Sequence, residues 1–195
     1  MTNKLIPLSV PNLSLDILDN IKETIETGWV STGGRFITEF EEKIAKYVGV
    51  KRAVSCQSGT AGLHLALKVL GIGHGDEVIV PTVTFIAAVN PVKYVGAEPV
   101  FMDCDNTLDM DMDKLEEFLQ TQCTFKDGKT VNKNTGRTVK AVIIVHVFGN
   151  PADMERLMNI KEKYNLKVIE DSTEALGSYY TKGKYAGKYC GTIGD

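Results

Sequence analysis

A chain of 195 residues, 43% hydrophobic and 24% charged, can build one sizeable core or part of a larger domain. Its 22 Lys and Arg against 25 Asp and Glu leave a formal net charge of -3, which gives neither the basic footprint of a nucleic-acid binder nor a polybasic membrane signal. The opening residues MTNKLIPLSVPN lack the apolar run of a secretory leader and no stretch is long enough to span a membrane, so a cytoplasmic protein is expected.

In chain order, Ile17, Leu18, Ile21 and Ile25 predict an amphipathic helix that Gly28 ends. Phe36, Phe40, Ile44, Tyr47 and Val48 predict a second, closed by Gly49. Residues 53–55 read as a short strand running into the turn Gln57-Ser58-Gly59-Thr60. Leu63, Ala66, Leu67 and Leu70 then mark a helix that stops at Gly71. Residues 77–80 form a second strand ending at Pro81. The apolar segment 85–95 follows, with Pro91 expected to kink or shorten its helix. Residues 99–104 give a third strand, and Asp111 is placed to cap a helix carrying Met112, Leu115 and Leu119.

Residues 121–140 break this rhythm. Asp127-Gly128 and the turn at 134–136 predict a polar, solvated, hairpin-like excursion. Residues 141–148 are nearly continuous apolar sequence, as in a strand buried on both faces. Asn150 as cap and Pro151 as first residue predict a helix reaching Tyr164, and residues 166–169 form a fifth strand that ends at Glu170-Asp171. Alternating strands and helices predict an α/β fold: a mostly parallel sheet with helices on both faces. Cys56, Cys104, Cys123 and Cys190 lie far apart without a CxxC pair, which predicts reduced, mostly buried thiols and no metal site.

In such a sheet ligands collect beyond the carboxyl ends of the strands. Three polar stretches sit there. At Ser58-Gly59-Thr60 the free amides and dipole of a helix start suit a phosphate, and the same residues also make an ordinary cap. At Pro81-Thr82-Val83-Thr84-Phe85 the aromatic ring either stacks on a flat heterocycle or joins the core. At Glu170-Asp171-Ser172-Thr173-Glu174 a strand delivers a carboxylate that must find a cation or hydrogen-bond donors. His146, at a strand end, is placed for a structural or substrate-facing role rather than as a general base. Trp29 reads as core or as a contact for substrate or a neighbouring subunit.

These motifs resemble the DegT/DnrJ/StrS-type sugar aminotransferases. The matching stretches are Thr27-Gly28-Trp29-Val30-Ser31, Ser58-Gly59-Thr60-Ala61, residues 76–82, 96–101 and 145–149, and Glu170-Asp171-Ser172-Thr173-Glu174-Ala175-Leu176-Gly177. The 121–140 excursion and the Glu-Asp-Ser-Thr-Glu segment look most like the LegC-like branch, which aminates 4-keto-6-deoxy nucleotide sugars toward legionaminic-type acids. The resemblance implies the aspartate-aminotransferase (type I) fold and pyridoxal 5'-phosphate (PLP) as cofactor. It also implies glutamate as amino donor, a nucleotide-sugar substrate and a homodimer.

Position by position, it implies that Gly59 and Thr60 hold the cofactor phosphate, Phe85 stacks on the ring, and Asp171 pairs with the ring nitrogen. Glu174 stands near the phenolic oxygen, where many relatives carry glutamine. Residues 1–195 would form the N-terminal segment and most of the PLP-binding large domain, without the small C-terminal domain. The Schiff-base lysine is expected after Asp195, because Lys182, Lys184 and Lys188 do not match its position. The full-length protein would then be the enzyme and the 195-residue chain inactive by itself. A PLP-dependent sugar dehydratase and a non-catalytic fragment are the alternatives.

Overall fold

The computed structural model describes residues 5–7 and 9–195. Helices α1 (Ile17–Thr27) and α2 (Arg35–Val48) end as expected at Gly28 (φ 73°) and Gly49 (φ 77°), in left-handed backbone that glycine adopts without a Cβ clash. Their apolar stripes stay largely uncovered: only Ala45 of the two helices is buried, while Leu18 and Phe40 are exposed. Residues 53–55 do not form the expected strand. A strand needs a neighbour for its ladder, and the Ser55 N-H donates instead to Glu41 Oε1 at 2.8 Å.

From there the alternation is regular. Helix α3 (Gly59–Val69) leads to β1 (Asp76–Pro81), and α4 (Asn90–Tyr94) to β2 (Glu98–Met102). The apolar segment before α4 is broken as Pro91 predicted: a single 3-10 turn, Ile86–Ala88, precedes α4, and the proline sits at that short helix's start, where its missing N-H costs nothing. Helix α5 (Met112–Thr121) follows, with the Asp111 carboxylate accepting from the amides of Asp113 and Lys114.

The excursion is more than a solvated loop. Strands β3 (Cys123–Lys126) and β4 (Lys129–Asn132) pair antiparallel around Asp127 and Gly128, both at positive φ, and β4 adds to β5 (Thr138–Val145). It is anchored by buried polar groups: Thr130 Oγ1 donates to the Tyr164 carbonyl at 2.6 Å, and Asn132 Nδ2 to Glu77 Oε2 at 2.9 Å. Helix α6 (Met154–Tyr164) starts later than expected. Asp153, not Asn150, is its cap, accepting from the Arg156 amide, while Asn150 turns to Asp109. Strand β6 (Lys167–Asp171) completes the sheet.

The parallel core runs β2-β1-β5-β6, with Ile79 beside both Val100 and Val142, and Ile143 beside Ile169. Alternate side chains serve opposite faces. Ile79, Val142, Ile144 and Val168 pack with Leu115, Leu157 and Ile160 of α5 and α6. Val78, Val80, Ile143 and Ile169 pack with Leu63 and Leu67 of α3 and Val92 of α4. Helices therefore cover both faces, as expected of a mostly parallel α/β sheet. Among the described residues no helix is long and apolar enough to cross a membrane and no metal-ligand cluster occurs. All four cysteines are free thiols, but only Cys123 and Cys190 are buried. Cys56 lies exposed just after residues 53–55, the segment expected to be a strand.

Candidate functional site

Beyond the carboxyl ends of β1, β5 and β6, at the start of α3, lies a cavity of about 530 Å³. Gly59, Thr60, Phe85, Asp171 and Glu174 all line it, together with Ser58, Val83, Thr84, Val145, Phe148 and Thr173. Each arrives for a local reason. Ser58 caps α3, its Oγ accepting from Ala61 N-H at 3.2 Å, while Gly62 N-H bonds the Ser58 carbonyl. Among the described residues the Gly59 and Thr60 amides have no acceptor within the chain, so the helix start offers two free donors at its positive pole. The cap and the phosphate turn are thus one feature: Ser58 closes the helix and leaves the next two amides open.

The β6 end comes close to this turn. A Cβ on Gly59 would lie 3.6 Å from Thr173 Oγ1. Thr173 in turn donates to Asp171 Oδ1 twice, from Oγ1 at 2.6 Å and from its amide at 3.1 Å. This fixes the half-buried Asp171 and leaves Oδ2, among the described residues, without a donor from the chain. Phe85 is not core: it is 78% exposed, its ring standing at the cavity instead of in the apolar layers. Glu174 is exposed too, and its Oε2 accepts the Phe148 amide at 2.5 Å.

His146 sits behind the cavity wall, fully buried. Its Nδ1 accepts from the Ala152 amide at 3.1 Å, so Nε2 carries the proton and faces Glu170 Oε2 at 3.1 Å. Both its nitrogens are engaged within the chain, and it is not among the residues that line the cavity. Glu170 also takes the amides of Gly191, Ile193 and Gly194. Burial alone would push its carboxyl up, but the bonds from His146 and these three amides outweigh that and hold it below the usual carboxylate range. Trp29 is not core either: it is 64% exposed and lines a separate groove, with Gly33 and Gly34 packed against its ring.

Residues 11–195 match the DegT/DnrJ/EryC1/StrS aminotransferase family. The chain belongs to that family. A GDP-perosamine synthase from Escherichia coli O157:H7 is 42% identical over 193 residues, 98% of this chain and 47% of the relative. A UDP-4-amino-4-deoxy-L-arabinose--oxoglutarate aminotransferase from Shewanella sediminis is 38% identical over 189 residues, 96% of this chain and 44% of that protein. The chain therefore spans a little under half the length of these relatives. Among solved structures, an aminotransferase from Psychrobacter cryohalolentis superposes with a TM-score of 0.78 at 31% identity, covering 96% of this chain and 43% of that one. The Streptococcus pneumoniae protein Spr1654, described as a sugar aminotransferase, is solved in a PLP form that superposes with a TM-score of 0.79 at 30% identity, covering 97% of this chain and 47% of that one.

DegT/DnrJ/EryC1/StrS aminotransferases are PLP-dependent, and the donor set of the cavity fits that cofactor. Two open amides at a helix start suit a phosphate, an exposed phenyl suits a flat ring, and a free carboxylate oxygen suits a protonated ring nitrogen. Thr173 and Phe148 also line the cavity, on weaker signals in the sequence. Thr173 was visible only as the second residue after an aspartate, the spacing of a side-chain turn. Phe148 was read as the tail of an apolar strand, and its left-handed backbone (φ 54°, ψ 24°) has no signal beyond the glycine that follows it.

Proposed function

We propose that the complete protein is a PLP-dependent aminotransferase that moves an amino group from glutamate to the keto carbon of a 4-keto-6-deoxy nucleotide sugar. The pathway would be legionaminic-type or related surface-sugar biosynthesis. The observation that carries this reading is the convergence of Gly59, Thr60, Phe85, Asp171 and Glu174 on one cavity, from three separate segments of the chain. Support for the substrate class comes from relatives whose names agree on a nucleotide-linked amino sugar and differ in the nucleotide, GDP in one and UDP in the other.

On this reading the Gly59 and Thr60 amides hold the cofactor phosphate and Phe85 fixes the plane of the ring. Asp171 keeps the ring nitrogen protonated through Oδ2, while Thr173 prevents the carboxylate from turning away. Bound PLP would supply an electron sink for the bond broken at the amino-acid carbon. Residues 1–195 then belong to the N-terminal segment and most of the large domain, the reactive lysine lies beyond Asp195, and the active form is a cytoplasmic homodimer.

The test is spectroscopic. Full-length protein mixed with PLP should develop a cofactor absorbance band that shifts when glutamate is added. A spectrum indifferent to glutamate in intact, cofactor-loaded protein would reject the assignment. Asp171→Ala should slow the glutamate half-reaction by about 10- to 100-fold or more, the worth of one charge-assisted hydrogen bond on the reacting ring.

A further inference from the structure

Glu174 and Phe148 have no part in the reading above beyond lining the cavity, yet they are tied to each other. Phe148 occupies left-handed backbone at φ 54°, a conformation that costs a bulky residue free energy. Its ring recovers none of that by joining the core, since the residue is 75% exposed. A strained, exposed aromatic held in place by its surroundings is the pattern expected of a side chain kept for a ligand.

The surroundings are specific. Glu174 Oε2 accepts the Phe148 amide at 2.5 Å. Ser178 Oγ donates to the Gly149 carbonyl at 2.8 Å, and Gly149 itself is left-handed at φ 81°. A Cβ on Gly149 would stand only 3.1 Å from the Glu174 carbonyl oxygen, so the chain at 148–149 lies directly against the segment after β6. That segment is the one that delivers Asp171 to the cavity. One carboxylate oxygen of Glu174 is thus committed to shaping the opposite loop.

We propose that Glu174 is a positioning residue: by holding the Phe148 amide it fixes the left-handed turn that presents the Phe148 ring as a second aromatic wall of the cavity, beside Phe85. The site would then grip a planar, phosphate-bearing heterocycle through two phenyl rings contributed by different strand ends. A glutamine at position 174 offers the same amide a carbonyl acceptor and serves the purpose equally, whereas alanine does not. The proposal rests on the cavity being a PLP site, but the Glu174–Phe148 contact does not.

Two measurements on the full-length protein separate these layers. Amide hydrogen exchange needs no ligand: Glu174→Ala should speed exchange at Phe148 by tenfold or more, and Glu174→Gln should restore it to within about threefold of the unaltered protein. Binding of PLP, followed by quenching of the tryptophan and tyrosine fluorescence, should weaken about five- to tenfold in Phe148→Ala and Glu174→Ala and recover in Phe148→Tyr and Glu174→Gln. Unchanged exchange at Phe148 in Glu174→Ala overturns the positioning role. So does Glu174→Gln binding PLP as weakly as Glu174→Ala, because the carboxylate would then be acting through its charge. Normal binding by Phe148→Ala removes the second wall. If the unaltered full-length protein fails to bind PLP, the cofactor reading of the cavity falls, while the exchange arm still decides the contact.

Discussion

Asp109 shows how a single residue outside the cavity lining can set a pH dependence. Only 3% exposed, it takes Asn150 Nδ2 on one oxygen at 3.0 Å, while the other oxygen has no hydrogen-bond partner among the described residues. Burial pushes its carboxyl up to about 6. An acid whose pKa rises on folding favours the native state in its protonated form. Its contribution is therefore complete below the unfolded value near 4 and is lost as pH rises through about 6. Between pH 4.5 and 6.5 the melting temperature should contain a component that falls with pH, and Asp109→Asn should remove that component. A pH profile identical in the variant would contradict this. The same scale explains what could be read in advance. Asp171 ends β6 and Phe85 lies in the loop that leaves β1, so position in the chain gave position in space. The exposure of Phe148 and the bracing of Asp171 by Thr173 depend on backbone angles that residue types do not encode.

At the scale of elements, helix ends were read well where the signal was a glycine and less well where several caps competed. Asn150-Pro151 and Asp153 are both plausible starts for α6, and the choice is made by Asp109, which engages Asn150 from across the fold. Asp153→Ala should cost about 1 kcal/mol and expose the Arg156 amide to exchange, while Asn150→Ala should leave that amide protected. The segment after β6 is an element of another kind. Glu170 gathers the amides of Gly191, Ile193 and Gly194, and a Cβ on Gly194 would come within 2.7 Å of the Val168 carbonyl, so the strap lies flush on the strand. Because Glu170 is held below its ordinary range, its stabilisation is present above the unfolded value near 4.3 and disappears as pH falls below that. Protection of those three amides, corrected for intrinsic exchange, should therefore be kept at pH 5 and be lost on acidification below the ordinary carboxylate range, ahead of global melting. In Glu170→Ala they should be unprotected at every pH. The pairing of β4 with β5 was beyond the sequence for a related reason: a polar hairpin with buried Thr130 and Asn132 looks like a loop until their distant partners, Tyr164 and Glu77, are in place.

For the molecule as a whole, the alternation of apolar runs and amphipathic helices was enough to predict a parallel sheet covered on both faces. Coverage, however, ends with α3. Helices α1 and α2 carry the strongest apolar periodicity at the start of the chain, yet Ile17, Leu18, Ile21, Ile25 and Phe40 remain at the surface, with Trp29 and Val30 between them. Periodicity reports that a helix has a face to bury and is silent about what buries it. An apolar stripe of this kind in water favours association, and its energetic cost is paid by whichever surface comes to meet it. The 195-residue chain should therefore self-associate as its concentration rises, with sedimentation velocity showing a growing share of faster species. Leu18→Glu and Phe40→Glu, both at exposed positions, should reduce that share while shifting the melting midpoint little. Leu157→Ala, in the fully buried layer beneath α6, should do the reverse. It should lower stability by about 2–5 kcal/mol and leave the association of the still-folded fraction unchanged. If Leu18→Glu melts like Leu157→Ala, α1 is part of the core and its stripe is already covered. If it sediments like the unaltered chain, some other surface drives association.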